Sequence, residues 1–328
     1  MRDITTFVCS LDGVSVYPFR NFALFCGLTS VAWGQLTFEF DFADVNTGFN
    51  DPTLGAERRA SLASGANLLA NYFTTAAPRT VKITVNASQS DGSGFLASAG
   101  GITYVGAGFQ ANFPMQVIQS GDHSGQSSHG SMTWDFGYTW DYDNSISSGA
   151  YDFQRVAMHE LTHVLGFSSY IGSDGAGLFD GNPTTYSYFD QFLTDASGNA
   201  LVDSSGNYQG GTILSDGVSS DVYFNGANAV AANGGERVHM YSPSSYNGGS
   251  SLSHLDTDFY GSVGYIMTHA VSSGASVREF SAIELGILTD LGYTVSAVPE
   301  PSTLALWWGG VCLLSTTMRR RAVRADRA

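Results

Sequence analysis

The sequence predicts an α+β fold. Helix-period and strand-period segments both occur, and they follow one another without a strand–helix–strand rhythm. Thr53 to Phe73 carries Leu62, Ala66, Leu69 and Phe73 at three-to-four spacing, which predicts a helix. Thr80 to Asn86 alternates Val81, Ile83 and Val85 with polar partners, and Met132 to Trp140 alternates Met132, Trp134, Phe136, Tyr138 and Trp140. Both read as strands, the second with one large aromatic face. The turn-forming residues between these segments imply long surface loops.

The remaining elements follow from their end signals. A helix is expected from about Ser148 to Leu165, capped by Ser147 or Ser148, with Asp152 in its first turn and Gly166 as its left-handed stop. Its Phe153, Ala157, Leu161 and Val164 would face the core. Tyr170 to Gly249 reads as loop, with Asp-Gly, Asn-Gly and Gly-Gly turns. Ser281 to Leu291 reads as a last helix: Ser281 and Glu284 form a capping box, Ile283, Ile287 and Leu291 a stripe, and Gly292 ends it.

The two ends have a different character from the body. Arg20, the apolar run Phe22 to Trp33 and the small residues about Ala32-Trp33-Gly34 have the layout of a secretory signal peptide over residues 1–34. At the other end, Val298-Pro299-Glu300-Pro301-Ser302 breaks the chain before the apolar stretch Leu304 to Met318. Arg319, Arg320, Arg321, Arg324 and Arg327 follow. An apolar stretch closed by arginines halts in a membrane with its positive end in the cytoplasm. These 15 residues are short for a permanent span, which needs about 20. Residues 298–328 resemble the PEP-CTERM sorting signals of Gram-negative bacteria. The resemblance implies transient anchoring in the inner membrane, removal by an exosortase, and delivery to the cell surface or extracellular matrix.

Between them, residues 35–297 hold 7 Lys and Arg against 25 Asp and Glu, a net charge near −18. Such a body is repelled by nucleic acid and by anionic membranes, so neither is an expected partner. Cys9, Cys26 and Cys312 all lie outside it. Its stability must come from a sizeable core and bound metal.

Chemistry is concentrated in His159-Glu160-Leu161-Thr162-His163. Two histidines at i and i+4 project from one helix face and can reach a single Zn²⁺ at about 2.0–2.1 Å each. Glu160, beside them, is placed to take a proton from an activated water and pass it to a leaving amine. Two histidines leave the ion short of a protein ligand. On residue type alone His123, His129, His239, His254 and His269 qualify for the third place, as do Asp180 and Asp190. Loops at Asp174-Gly175, Asp180-Gly181-Asn182 and Asp195 to Asp203 are candidates for a structural Ca²⁺, although none has EF-hand spacing and turn chemistry explains them.

The run HELTHVLGF, from His159 to Phe167, is similar to the HExxHxxGF opening of the leishmanolysin-like metzincins, which are zinc peptidases. Compact metzincins place a third histidine three residues after the glycine, where this chain has Ser169. Leishmanolysin-like enzymes instead place a long insertion before the third histidine and a methionine-containing turn after it. Here Ser253-His254-Leu255-Asp256 is followed by Gly264-Tyr265-Ile266-Met267-Thr268. The resemblance implies His254 as third ligand, residues 170–249 as the insertion and Met267 as the residue of the Met-turn. His269, two residues on, stands where some metzincins carry a tyrosine that assists the oxyanion. SAIELGILTDLGY resembles the closing helix of secreted bacterial peptidases of this kind.

The fold so implied is a metzincin-like domain with a mixed sheet, an active-site helix, the insertion and the Met-turn. The activity implied is that of a secreted zinc endopeptidase acting on proteins or peptides. The strand Met132 to Trp140 would border the cleft and pair with extended substrate. A catalytically silent surface or matrix adhesion protein is the competing expectation, and the intact Glu160 argues against it. A purely structural zinc normally has four protein ligands, often cysteines, which residues 35–297 lack.

Overall fold

The computed structural model describes residues 34–297, apart from 93, 179–181, 212–213, 215–220 and 262–263. The signal peptide expected over residues 1–34 (save Gly34), the sorting signal expected over 298–328 and the Asp180-Gly181 turn lie outside the described residues. Among the described residues no helix is long and apolar enough to cross a membrane.

Strand β1 (Leu36–Phe42) alternates Leu36, Phe38, Phe40 and Phe42 with polar residues, and packs its apolar face inward. Helix α1 (Gly55–Ala70) follows, burying Leu62, Ala66 and Leu69, and leads to β2 (Arg79–Val85), whose Val81, Ile83 and Val85 are buried. β1 and β2 pair in parallel. The chain thus opens on a βαβ unit, which the sequence pattern did not suggest, because β1 alternates aromatic rings with charges and carries few β-branched residues. The whole is a mixed architecture of several small sheets and helices, compatible with the α+β class.

Next come β3 (Ala97–Gly101), β4 (Gly108–Gln110), α2 (Phe113–Gln119) and β5 (Gly130–Trp134). β5 adds parallel to β2, and β3 runs antiparallel along β5, giving a sheet ordered β1-β2-β5-β3. The single strand expected over Met132 to Trp140 is broken. The Asp135 carboxylate accepts the N–H groups of Gly92 (3.0 Å) and Gly137 (2.7 Å), turning the chain after Trp134. Beyond a single bridge of Asp135 to Gln89, pairing resumes in β6 (Trp140–Asp141), which lies parallel to β7 (Tyr151–Asp152).

That pairing delays the helix that carries His159 and His163. Residues before Phe153 are held extended in β7, so α3 spans Phe153–Val164 and its cap is Asp152, not Ser147 or Ser148. The Asp152 side chain accepts the Arg155 N–H at 3.1 Å. Phe153, Ala157, Leu161 and Val164 are all buried, as their spacing predicts. The Phe153 ring stacks on Trp134 at 4.0 Å. α1 crosses α3 closely, since a β-carbon on Gly65 would stand 2.8 Å from that of Ala157. At the far end, the carbonyls of Val164 and Leu165 accept bonds from Asn112 (2.9 Å) and the Tyr293 hydroxyl (2.6 Å). Those carbonyls would otherwise be orphaned at a helix terminus. Gly166, at φ +97°, then reverses the chain.

The segment expected to be loop from Tyr170 to Gly249 contains short elements. β8 (Thr185–Ser187) pairs with β4, while β9 (Leu193–Thr194), β10 (Tyr223–Phe224) and β11 (Val238–His239) form a small sheet ordered β11-β10-β9. Helix α4 (Ala227–Ala232) packs on α6 (Ala282–Asp290), with α5 (Thr257–Tyr260) between them in sequence. α6 begins with the expected capping box of Ser281 and Glu284 and ends at Gly292 (φ +90°).

Candidate metal centre

α3 places His159 and His163 one turn apart. The chain from β11 returns through residues 247–256 to lay His254 across them. Leu252, buried and in the left-handed conformation at φ +67°, precedes it. Such a backbone costs a residue with a β-carbon about 1–2 kcal/mol, so the turn presenting His254 is strained. It is fixed by the Leu252 N–H on the Tyr241 carbonyl (2.8 Å), the Tyr241 N–H on the His254 carbonyl (2.8 Å) and the Ser169 N–H on the Ser253 hydroxyl (3.0 Å).

The three Nε2 atoms form a near-equilateral triangle. His163 lies 3.1 Å from His159 and 3.1 Å from His254, and His254 lies 3.2 Å from His159. Each Nδ1 faces a backbone carbonyl: Ile266 for His159 (2.8 Å), Phe167 for His163 (2.7 Å) and Ser250 for His254 (2.8 Å). A neutral imidazole has one N–H, and here each spends it on a carbonyl. Three bare Nε2 lone pairs therefore converge. Protonation is no remedy, because burial holds all three below the ordinary histidine pKa, His163 at about 4. A cation is the group that fits, and these three histidines lie close enough to bind one metal ion. A tetrahedral ion holding nitrogens at about 2.0–2.1 Å sets them about 3.3 Å apart, close to the triangle observed.

Glu160 is buried and lines the same cleft as the histidines, and its carboxylate makes no hydrogen bond to protein among the described residues. Burial pushes its carboxyl up to about 8. The cleft has a volume of about 930 Å³. Along one side runs β3, whose outer edge is unpaired among the described residues, and a β-carbon on Gly100 would meet nothing within 4 Å. The edge that could pair with an extended peptide is thus β3. The segment Met132 to Trp140, expected in that role, is interior where it belongs to β5 and lines the cleft only through Tyr138.

Met267 is buried beside the site. The Leu255 N–H donates to its carbonyl at 2.8 Å, joining it to the residue after His254. Its own N–H donates to the buried Glu284 carboxylate at 2.6 Å. The Arg155 guanidinium donates to the Tyr265 carbonyl at 2.7 Å. Sequence reasoning found Glu284 as a helix cap but not as an anchor of this turn. Arg155 it missed, although its place one turn before His159 was the available signal. His269 lines the same cleft, stacked on Tyr241 (3.6 Å) with Nδ1 against the Thr257 hydroxyl (3.2 Å).

The other candidates lie elsewhere. His129 lies in a stretch rich in Ser and Gly. It is fully buried, accepting the Lys82 N–H at 3.0 Å with its other nitrogen at the His123 carbonyl. His123 stacks on Phe113 and His239 on Phe259, both away from the triangle. Asp190 is buried, accepting the Tyr170 and Ser187 N–H groups. Asp174, Asp195 and Asp203 accept backbone N–H groups of their own turns, as turn chemistry requires. Among the described residues no other trio of His, Cys, Asp or Glu converges this way.

No protein-family model matches the chain, and it has no significant match among curated proteins or among solved structures.

Proposed function

We propose that this chain is a zinc metalloendopeptidase, exported and acting on protein or peptide substrates. The observation that carries the reading is the triangle of unprotonated Nε2 atoms with a partnerless buried carboxylate beside it, opening on a cleft with a free strand edge. The resemblance of HELTHVLGF, SHLD and the Met267 turn to leishmanolysin-like metzincins supports it, as does the donor set, since three histidines are a common protein contribution to catalytic zinc. His159, His163 and His254 would hold the ion, which when bound supplies Lewis acidity toward a carbonyl and a water.

The chain's own residues do the rest. The β3 edge holds the substrate backbone extended across the cleft. Glu160, kept from protein partners and raised in basicity by burial, takes the proton of the attacking water and delivers it to the departing amine. The enclosing walls hold that carboxylate out of bulk solvent. His269, which lines the same cleft with its Nδ1 engaged by Thr257, would donate to the oxyanion from Nε2. His269→Phe is expected to lower kcat about 10²-fold with KM little changed. Full turnover in that variant would remove His269 from the mechanism.

The reading is tested by metal analysis of the purified protein together with casein hydrolysis. One zinc per chain, hydrolysis lost on chelation and regained on adding zinc is the expected result. Folded protein that takes up no zinc would overturn it. The signal peptide and the PEP-CTERM tail belong to the same proposal and place the enzyme at the cell surface or in the matrix.

A further inference from the structure

The peptide unit joining Ile266 to Met267 is bonded at both ends. Its carbonyl accepts the Nδ1–H of His159 at 2.8 Å, and its N–H donates to Glu284 Oε1 at 2.6 Å. The chain of atoms therefore runs from carboxylate to peptide N–H, through the conjugated amide to the carbonyl, and from there to the imidazole. Glu284 is fully buried and is held by the capping box, its other oxygen accepting the Ser281 N–H at 2.7 Å. On the preceding peptide the buried Arg155 donates to the Tyr265 carbonyl, so charges of opposite sign grip the turn from its two sides.

The other two histidines are backed differently. The peptide behind His254 gives its Ser251 N–H to the neutral carbonyl of Asn247 at 2.9 Å. Among the described residues no carboxylate is bonded to the peptide between Phe167 and Ser168. A carboxylate behind a ligating histidine fixes its tautomer and strengthens its free nitrogen as a donor. Hydrogen bonds in a chain polarise one another, and an amide carries that effect between its N–H and its oxygen.

We propose that Glu284 is a positioning residue that sets the orientation and donor strength of His159 through the Ile266–Met267 peptide, making His159 the strongest of the three metal-binding nitrogens. The proposal rests on the metal reading for one of its two readouts only. Glu284→Gln is nearly isosteric and keeps an amide oxygen for the Met267 N–H; its amide nitrogen then faces the Ser281 N–H, so it removes the charge and one half of the capping box with little change in shape. Ser281→Ala is the control: it weakens the same helix cap and leaves the carboxylate in place.

The first readout is the Nδ1–H resonance of each histidine in metal-free protein. In Glu284→Gln the His159 resonance is expected to move upfield while those of His163 and His254 stay in place, and Ser281→Ala is expected to move none of them. The second is zinc affinity by chelator competition, expected to fall about tenfold in Glu284→Gln and to hold in Ser281→Ala. An unmoved His159 resonance, equal movement of all three, or the same changes in Ser281→Ala would overturn the proposal. Should Glu284→Gln not fold, the wild-type spectrum decides. A His159 Nδ1–H resonance upfield of both others overturns the proposal, and one downfield of both supports it. Wild-type protein that binds no zinc would defeat the metal reading, and the metal-free resonances would still decide the role of Glu284.

Discussion

Glu160→Gln is expected to leave one metal ion bound and to lower peptide hydrolysis by about 10²–10⁴-fold, the span over which a positioned general base contributes. The histidine triangle does not include the Glu160 carboxylate, so its replacement by an isosteric amide removes no metal-binding atom. The amide cannot take a proton, which isolates the base from the fold. Burial raises Glu160 to about 8, whereas a cation held by the adjoining histidines stabilises the carboxylate and pulls in the opposite direction. The acid limb of kcat/KM in the metal-loaded protein is therefore expected below pH 8, because activity requires the deprotonated form and fades as pH falls through its pKa. Metal analysis and casein hydrolysis on the same preparation check both halves. Cleavage at the wild-type rate would show that Glu160 is not the base.

The second large effect is expected at His254. His254→Ala removes one corner of the triangle and leaves two nitrogens on α3, which is too few for the three protein ligands of a catalytic zinc. Zinc affinity is expected to fall by at least about 10²-fold, beyond the loss typical of altering groups behind the ligands, and hydrolysis with it. His239→Ala is the matched control. His239 sits in β11 stacked on Phe259 at 3.9 Å, so this variant is expected to keep its metal and its activity. Isothermal titration with zinc separates the outcomes, and undiminished affinity in His254→Ala would exclude it as a ligand.

The part of the site carried by α3 was legible because helix spacing, a following glycine and the His-Glu-His pattern are all local. His254 was different. From residue types alone it stood level with four other histidines and two aspartates, and only a resemblance in the segment around it singled it out. What brings it to α3 is the strained turn at Leu252 and its backbone bonds to Tyr241, contacts that no local pattern encodes. The cleft edge was hidden for another reason. β3 reads Ala-Ser-Ala-Gly-Gly, residues of low strand propensity, and it is a strand because β5 pairs with it. The reverse error occurred at Asp135, where an aromatic alternation continued through a turn set by one carboxylate. His129 stands among serines and glycines, with no local signal for burial, and it is buried between β2 and the His123 loop.

His163 and His254 stand 91 positions apart, so an ion held between them ties a loop of that length in a body without a cysteine. Cross-linking a loop of roughly 100 residues removes on the order of 4–5 kcal/mol of chain entropy from the unfolded state, in the entropic account of such links. The coordination bond would thus stand in for a disulfide, with different vulnerabilities. It is indifferent to thiols and oxidants, and it yields to chelators and to acid strong enough to protonate the three nitrogens. A peptidase of the kind proposed would lose its durability together with its activity when the ion is withdrawn, so the supply of metal around it would set both how fast it cuts and how long it lasts.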